Sequence, residues 1–405
     1  MTTTDNLNRI IQAKSDIKTA IENKGVTVGN ITIDGYAEKI NQITVGESGK
    51  TVLPNGICLR GSTWETFDTT QYDWSKIRDM SNMFSNCTNL TSLDVSNWDT
   101  SKVTDMGEMF TSCVGLTSLD VSNWDTSNVT DMGELFRNCT NLTSLDVSNW
   151  DTSNVTKMSY MFYNCDNLTS LDVSNWDTSN VTTMFNMFVM CGNLTSLDVS
   201  NWDTSNVTDM SYMFQYCTNL TTINGIENWD TSNVTKMSYM FYNCDNLTSI
   251  DLSNWDTSNV TDMGSMFEHC YNITTINGIE NWDTSKVTDM GEMFTSCVGL
   301  TSLDVSNWDT SNVTKMVRMF NNCDNLTSID LSNWDTSNVT NMNNMFESCD
   351  NLTEVRMGGD VSKVTNVSYM FRYIATTGTF YYNSNYDYSN IIAQLPSTWT
   401  AVPME

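Results

Sequence analysis

Hydrophobic positions along the chain alternate between two spacings within each stretch of about two dozen residues. In residues 149–171, NWDTSNVTKMSYMFYNCDNLTSL, Met158, Met161, Phe162 and Cys165 stand at i, i+3, i+4 and i+7. That spacing predicts one buried face of a short α-helix. Thr156 stands where a hydroxyl caps the first turn, and Asp166-Asn167 is a turn pair that would end it. Leu168 then leads to Leu171 and Val173, which alternate with Asp172 and Ser174 and predict a short strand with one face inward. Trp176 and Val181 complete the interior of the unit.

The unit repeats. Trp98, Trp124, Trp150, Trp176, Trp202, Trp229, Trp255, Trp282, Trp308 and Trp334 follow one another at 26 residues, apart from two steps of 27 that end at Trp229 and Trp282. A fixed period of this size predicts a solenoid, whose units bury their apolar faces only by stacking. Twelve Met/Phe segments occur between Tyr72 and Ile374. The first and last are degenerate, with Tyr72 in the Trp position and Ile374 in the Cys position, as capping units are. At the strand-to-strand spacing of ~4.8 Å, twelve rungs predict a rod of roughly 55–60 Å. Strand plus short helix in this length has leucine-rich-repeat geometry, an α/β solenoid.

The motif NMFxxCxNLTSLDVSNWDTSNVTxM resembles the BspA-like leucine-rich repeats of bacterial surface proteins, over roughly residues 71–374. That resemblance implies cell-surface adhesion and protein binding.

Outside the repeat, Leu7, Ile10, Ile11, Ile17 and Ile21 predict a helix ended by Gly25, and Tyr36, Ile40 and Ile43 a second short one. Too small to be stable alone, this segment (1–45) is expected to oligomerise or to pack on a partner. Residues 7–43, with AKSDIKTAIENKGVTV and DGYAEKI, resemble the N-terminal part of tailed-phage virion proteins, which implies mounting on a virion. Residues 46–70 read as a linker and N-terminal cap. Within it Gly46–Thr51 lacks the glycine spacing of a phosphate loop, and Pro54 blocks the helix such a loop needs. Residues 375–405 read as a C-terminal cap, with a β-forming run at Thr379–Tyr382 and a helix-like one at Tyr388–Leu395.

A net charge of −29 argues against nucleic acid and anionic membrane as partners. No apolar run reaches the 18 residues of a membrane span, and the start, MTTTDNLNRI, has no signal-peptide character, unlike a self-secreted adhesin. Eleven of the twelve cysteines, Cys87 through Cys349, occupy one repeat position. Parallel Cβ vectors and the absence of CxxC pairs make them small buried hydrophobes rather than disulfides or metal ligands. Asn-x-Thr sequons in nearly every rung favour a bacterial or viral source over a eukaryotic secretory one.

Function is expected where the repeat varies: the two residues between the methionines and the two between Phe and Cys. There Tyr160/Tyr163, Tyr212/Tyr216 and Tyr239/Tyr242, followed by His269 and Tyr271, predict an aromatic strip in mid-rod suited to protein or glycan recognition. Free drift of outer residues is the plain alternative. An acidic column, Asp94, Asp120, Asp146, Asp172 and Asp198, puts like charges on neighbouring strands. Screening by water and salt, or Ca²⁺ held by carboxylate and Asn oxygens, would relieve it; a second column from Asp99 and Asp125 fits Asx-turns. No Ser/His/Asp set and no carboxylate pair in a unique context occurs, so no enzyme is expected and no cofactor is required. The reading that follows is a phage tail or fibre protein whose rod binds the host surface, oligomerised and mounted through residues 5–43. A bacterial surface adhesin and a purely structural spacer are the alternatives.

Overall fold

The computed structural model describes residues 51–53 and 55–404; the segment expected to mount the rod, 1–45, lies outside them. Twelve rungs stack in parallel into a β-solenoid, matching the period and rung count read from the sequence. Two parallel ladders run along it. One joins short strands such as Ser196–Asp198 with Thr222–Asn224 and Ser249–Asp251 with Thr275–Asn277. The other is a chain of single bridges, Asp79↔Asp105 through Asn341↔Asn366.

The interior is made by nine apolar side chains per rung. Leu168, Leu171, Val173, Trp176, Val181, Met184, Met187, Phe188 and Cys191 are all buried, at about 1.5–3 kcal/mol for each large one. Identical positions stack: the Trp124-to-Trp334 column has ring centroids 6.1–6.5 Å apart. Polar groups among them are tied to the adjacent rung. The Trp176 indole donates to the Val147 carbonyl at 3.1 Å, and the buried Thr178 hydroxyl to the Asp203 carbonyl at 2.8 Å. The cysteines are free and, except Cys58, buried. Each stacked thiol also has a polar task that the sequence did not reveal: Cys165 Sγ donates to the Phe136 carbonyl of the rung before at 3.1 Å.

One expectation is corrected. The Met-x-x-Met-Phe-x-x-Cys segments are not helices; among the described residues the only α-helix is Ser389–Ile392. Each segment is a ribbon of tandem turns. In the sixth rung Met213 N–H closes a turn onto Met210 O at 3.3 Å and Cys217 N–H onto Phe214 O at 3.1 Å. The alternate amides of Met210, Tyr212, Phe214 and Tyr216 leave the rung and bond the next one, at Lys236, Ser238, Met240 and Tyr242 carbonyls, 2.8–3.1 Å away. Turning every second peptide outward needs a residue in the left-handed region, and each rung has two, twenty-four in all with φ between 54° and 62°. A helix would keep these bonds inside the segment; the ribbon spends them on the neighbour, so the rungs are hydrogen-bonded on two faces. Thr156 accordingly caps nothing: its amide and hydroxyl both donate to the Thr130 carbonyl, at 2.9 and 3.1 Å.

The two 27-residue rungs place their extra residue in a 3-10 turn, Ile226–Asn228 or Ile279–Asn281, entered through Gly225 and Gly278 at φ 87°. A Cβ on Gly225 would lie 2.1 Å from Ser200 Cα, so only glycine fits. At the N-terminal end Phe67, on the strand Thr66–Phe67, lies 5.7 Å from Phe84 of the first rung. At the other end the strands Ser328–Leu331, Glu354–Met357, Gly378–Asn383 and Trp399–Met404 form one parallel sheet. Phe380 and Trp399 there cover Phe371 of the last rung.

Candidate functional site

The turn ribbon decides what the rod presents. Its inward positions are Met, Phe and Cys except at Leu135, Val367 and Ile374, so within the ribbon variation falls mainly on the four outward residues of each rung. Two of those four are the left-handed ones. Asn fills eight of the twenty-four left-handed positions, as expected of a residue whose short amide tolerates that conformation. Tyr160, Tyr212, Tyr216 and Tyr239 occupy others, at φ 58–62°. A bulky side chain in this region is a backbone outlier, with a cost of about 1–2 kcal/mol.

Although no helix carries them, these tyrosines come together. Tyr160 and Tyr163 are 5.6 Å apart, and Phe185 of the next rung links them to Tyr212 through edge contacts of 5.4 and 5.6 Å. Tyr212 stacks on Tyr239 at 4.8 Å and 4°, Tyr216 meets Tyr242 at 5.2 Å, and Tyr239 meets Tyr242 at 5.6 Å. Tyr242 touches His269 at 5.5 Å, and His269 touches Tyr271 at 5.5 Å. The strip thus runs through five rungs as one connected surface of half-buried rings, ending in the exposed Tyr271. Phe185 is a member the sequence reading passed over, although it stands in one of the variable positions.

Charge is arranged around the rings. At one end the Arg137 guanidinium lies over Tyr160 and Tyr163, 5.2 and 5.3 Å from their centroids, and pairs with Glu134 at 2.7 Å. At the other, His269 faces Glu268, with Nε2 3.4 Å from Oε1, and its Nδ1 is 3.1 Å from the Tyr271 hydroxyl. Burial pushes Glu268 up and His269 down, so both lean toward their neutral forms. Burial likewise raises Asp245, whose buried Oδ1 has no hydrogen-bond partner among the described residues. On the N-terminal side of Tyr160 the outward face drops into a shallow groove of about 420 Å³, floored at Gly107 and Gly133 and edged by Asp105, Glu108, Asp131 and Tyr160.

The acidic column on the strand side has local hydrogen-bonding partners. Asp94, Asp120, Asp146, Asp172 and Asp198 each accept, through Oδ1, the amide and hydroxyl of the serine two residues on, with hydroxyl distances of 2.6–2.7 Å. These are Asx-turns, and Asp99 with Ser101 repeats the geometry in the second column. The serine hydroxyls hold Asp94, Asp146 and Asp198 below the usual carboxylate range. Among the described residues no group of three or more His, Cys, Asp or Glu side chains is arranged to hold a metal ion.

A second aromatic cluster, which the sequence reading missed, lies on the same face in the last rung. Tyr369 and Tyr373 are 55% and 66% exposed, and the Arg372 guanidinium lies 4.5 and 4.9 Å from their ring centroids. They occupy the same repeat positions as Tyr212 and Tyr216, so applying the positional argument to the degenerate last rung would have found them.

No helix among the described residues is long and apolar enough to cross a membrane. Several solved structures are similar to this chain. A leucine-rich repeat protein from Bacteroides ovatus is 16% identical, with 89% of this chain and 97% of that one covered and a TM-score of 0.42. A leucine-rich cell surface protein from Faecalibacterium prausnitzii is 18% identical, over 79% and 93%, with a TM-score of 0.37. An internalin from Listeria monocytogenes is 17% identical, over 96% and 94%, with a TM-score of 0.25. No curated protein sequence matches. The family described as "Mycoplasma protein of unknown function, DUF285" matches residues 60–145, 130–225, 190–277, 218–300 and 271–383, and with most of its rod so covered the chain belongs to that family.

Proposed function

We propose that this protein is a non-enzymatic recognition rod of the bacterial surface-adhesin kind, which binds a surface protein or glycan through the aromatic strip on its turn face. The observation that carries the reading is the choice of tyrosine at left-handed positions in the fourth, sixth and seventh rungs, Tyr160, Tyr212, Tyr216 and Tyr239. Asparagine serves the same backbone at lower cost elsewhere in the rod, so the tyrosines are held there for what their rings contact. Rigid, half-buried rings give a large contact area with little further loss of side-chain entropy, and their hydroxyls supply polar specificity. Repetition supports the reading as well: residues 97–130 recur letter for letter as 281–314, so rungs are copied whole, and between rungs that are not such copies the outward residues of the ribbon differ.

A virion-mounted form of the same rod, oligomerised through its N-terminal segment, rests on residues 7–43, which lie outside the described residues. The recognition surface and its test are the same in both forms. The test is binding of the labelled full chain to a panel of bacterial cells, beside Tyr212→Asn/Tyr216→Asn/Tyr239→Asn. Asparagine is the rod's own residue at equivalent positions, so the variant keeps the fold. Saturable binding that the variant loses supports the reading; equal binding by both proteins refutes it.

A further inference from the structure

Residues 151–170 and 230–249 are the same twenty letters, so the rod contains one tyrosine pair twice. The two copies have the same geometry: Tyr160–Tyr163 at 5.6 Å and 50°, Tyr239–Tyr242 at 5.6 Å and 49°. Their surroundings differ. The first copy is covered by a cation from its own chain, Arg137, which lies over both rings and is held by Glu134. In the rung before the second copy, Gln215 stands in the place of Arg137 and Tyr212 in the place of Glu134. Among the described residues no arginine or lysine lies over Tyr239 or Tyr242.

Tyr212 stacks on one face of Tyr239. The opposite face looks toward the eighth rung, where Gly264 and Ser265 replace the Phe185 and Asn186 that follow the first copy. Where Phe185 packs edge-on against Tyr160, Gly264 offers Tyr239 no side chain, and a Cβ there would lie 3.4 Å from Asp262 Oδ1 and 3.5 Å from Asp289 Oδ1. Carboxylates border this position. Asp262 bridges to Lys236 in the backbone ladder and acts electrostatically on Tyr212, and Glu268 acts on Tyr242. Neither forms a salt bridge with a lysine or arginine among the described residues, although Lys315, paired with Asp289, acts electrostatically on Asp262 and Tyr239, and Arg318 acts on Glu268.

We infer that Tyr239 and Tyr242, with Asp262 and Glu268, bind the guanidinium of an arginine presented by a partner polypeptide, the group that Arg137 supplies to the other copy from within. The inference rests on the turn face being the recognition surface and names what it recognises. A planar guanidinium stacks on a ring while its edge N–H groups reach carboxylates, which an ammonium does less well. Among the described residues only arginine is used in this way: Arg356 lies 4.2 Å from the Tyr381 centroid and Arg372 4.5 Å from that of Tyr369. A chain of net charge −29 also steers basic segments toward itself.

The experiment titrates the full chain with blocked peptides that alternate glycine with arginine, lysine or glutamine. Salt is kept at about 0.15 M, where exposed charges more than ~8 Å apart are largely screened. The arginine peptide is expected to bind saturably, with the lysine peptide weaker and the glutamine peptide silent. Tyr212→Glu/Gln215→Arg rebuilds the self-covered arrangement of the first copy without removing either Tyr239 or Tyr242. It is expected to weaken arginine-peptide binding by about tenfold, the scale of one desolvated cation–π contact. Gln215→Arg alone, a milder change, is expected to move affinity in the same direction. Unchanged affinity in both variants, or equal affinity for the lysine peptide, overturns the inference, as does displacement by free sugars but not by free arginine. Cell binding by the same proteins separates the two levels. If no peptide binds while Tyr212→Asn/Tyr216→Asn/Tyr239→Asn still abolishes cell binding, the arginine site falls and the recognition face stands. If cell binding is also indifferent to that variant, both fall.

Discussion

Met190 offers a test of the turn ribbon in which the sign of the effect is decisive. It is left-handed at φ 58° and 37% exposed, in a position where other rungs carry Asn138, Asn164, Asn243 and Asn322. Met190→Asn removes a bulky side chain from this conformation, a relief of about 1 kcal/mol. The new amide would sit one rung beyond Asn164, which itself donates to Asn138 Oδ1 at 3.0 Å. Extending that ladder adds about 0.5–1.5 kcal/mol. Against this, the partly covered Met190 side chain gives up about 1 kcal/mol of apolar burial. The sum is a stabilisation of about 0.5–1.5 kcal/mol. Were the segment a helix, asparagine would lose roughly 0.5 kcal/mol of propensity as well as the burial, and the variant would be destabilised. Urea unfolding followed by tryptophan fluorescence reads the outcome. A rise in midpoint at constant slope fits the ribbon; a fall refutes the reasoning, and Met190→Val, which adds a branched Cβ, should fall in any case.

Three further outcomes follow from the packing. Trp202 donates its indole N–H to the Val173 carbonyl at 3.0 Å, whereas the Trp229 indole has no acceptor among the described residues. Trp202→Phe should therefore cost about 1 kcal/mol more than Trp229→Phe in the same urea assay; equal costs would count against the hydrogen-bond assignment. Burial raises the stacked thiols, Cys139, Cys217 and Cys349 to about 12, while Cys58 is only half-buried. Mass spectrometry after iodoacetamide should thus find Cys58 alkylated in the native chain and all twelve cysteines only after unfolding. Acid should weaken the rod. Serine hydroxyls hold Asp94, Asp146, Asp151, Asp198, Asp230, Asp283 and Asp304 below the ordinary value of 3.8, so their stabilisation is present above that value and lost as pH falls through the lower folded ones. Asp105, Asp245, Asp324 and Glu268, raised by burial, work the other way, as does the loss of repulsion on approach to the pI near 4.1. The melting temperature should therefore drop only below pH 3.8, and a continued rise there would contradict the Asx-turn assignment.

The rod was legible because its interior is spelled out twelve times: Leu, Val, Trp, Met, Phe and Cys recur in register, and a period of 26 residues has few physical readings besides stacking. The helix was misread because Met158, Met161, Phe162 and Cys165 point inward equally well from a helix and from tandem four-residue β-turns. The signal that separates them was present. Asn82, Asn86, Asn138 and Asn164 recur in what would be helix interiors, where asparagine is poor, and they fall at the positions that turned out left-handed. The tyrosine strip survived that error, since both backbones send Tyr160, Tyr212 and Tyr239 outward. What the sequence hid was contact across rungs: Phe185 as the link, Arg137 as the cover, and the thiol-to-carbonyl bonds all join residues of adjacent rungs, far apart in the chain.

The central claim is that the turn face, and not the strand face, meets the partner. Amide hydrogen exchange of the full chain, measured with and without the cells or surface fraction it binds, tests this most directly. The account predicts added protection in residues 157–164, 183–190, 209–216 and 236–243, with the Ser-Leu-Asp strands such as Ser196–Asp198 unchanged. Protection confined to the strands, leaving those four ribbons as they were, would contradict it.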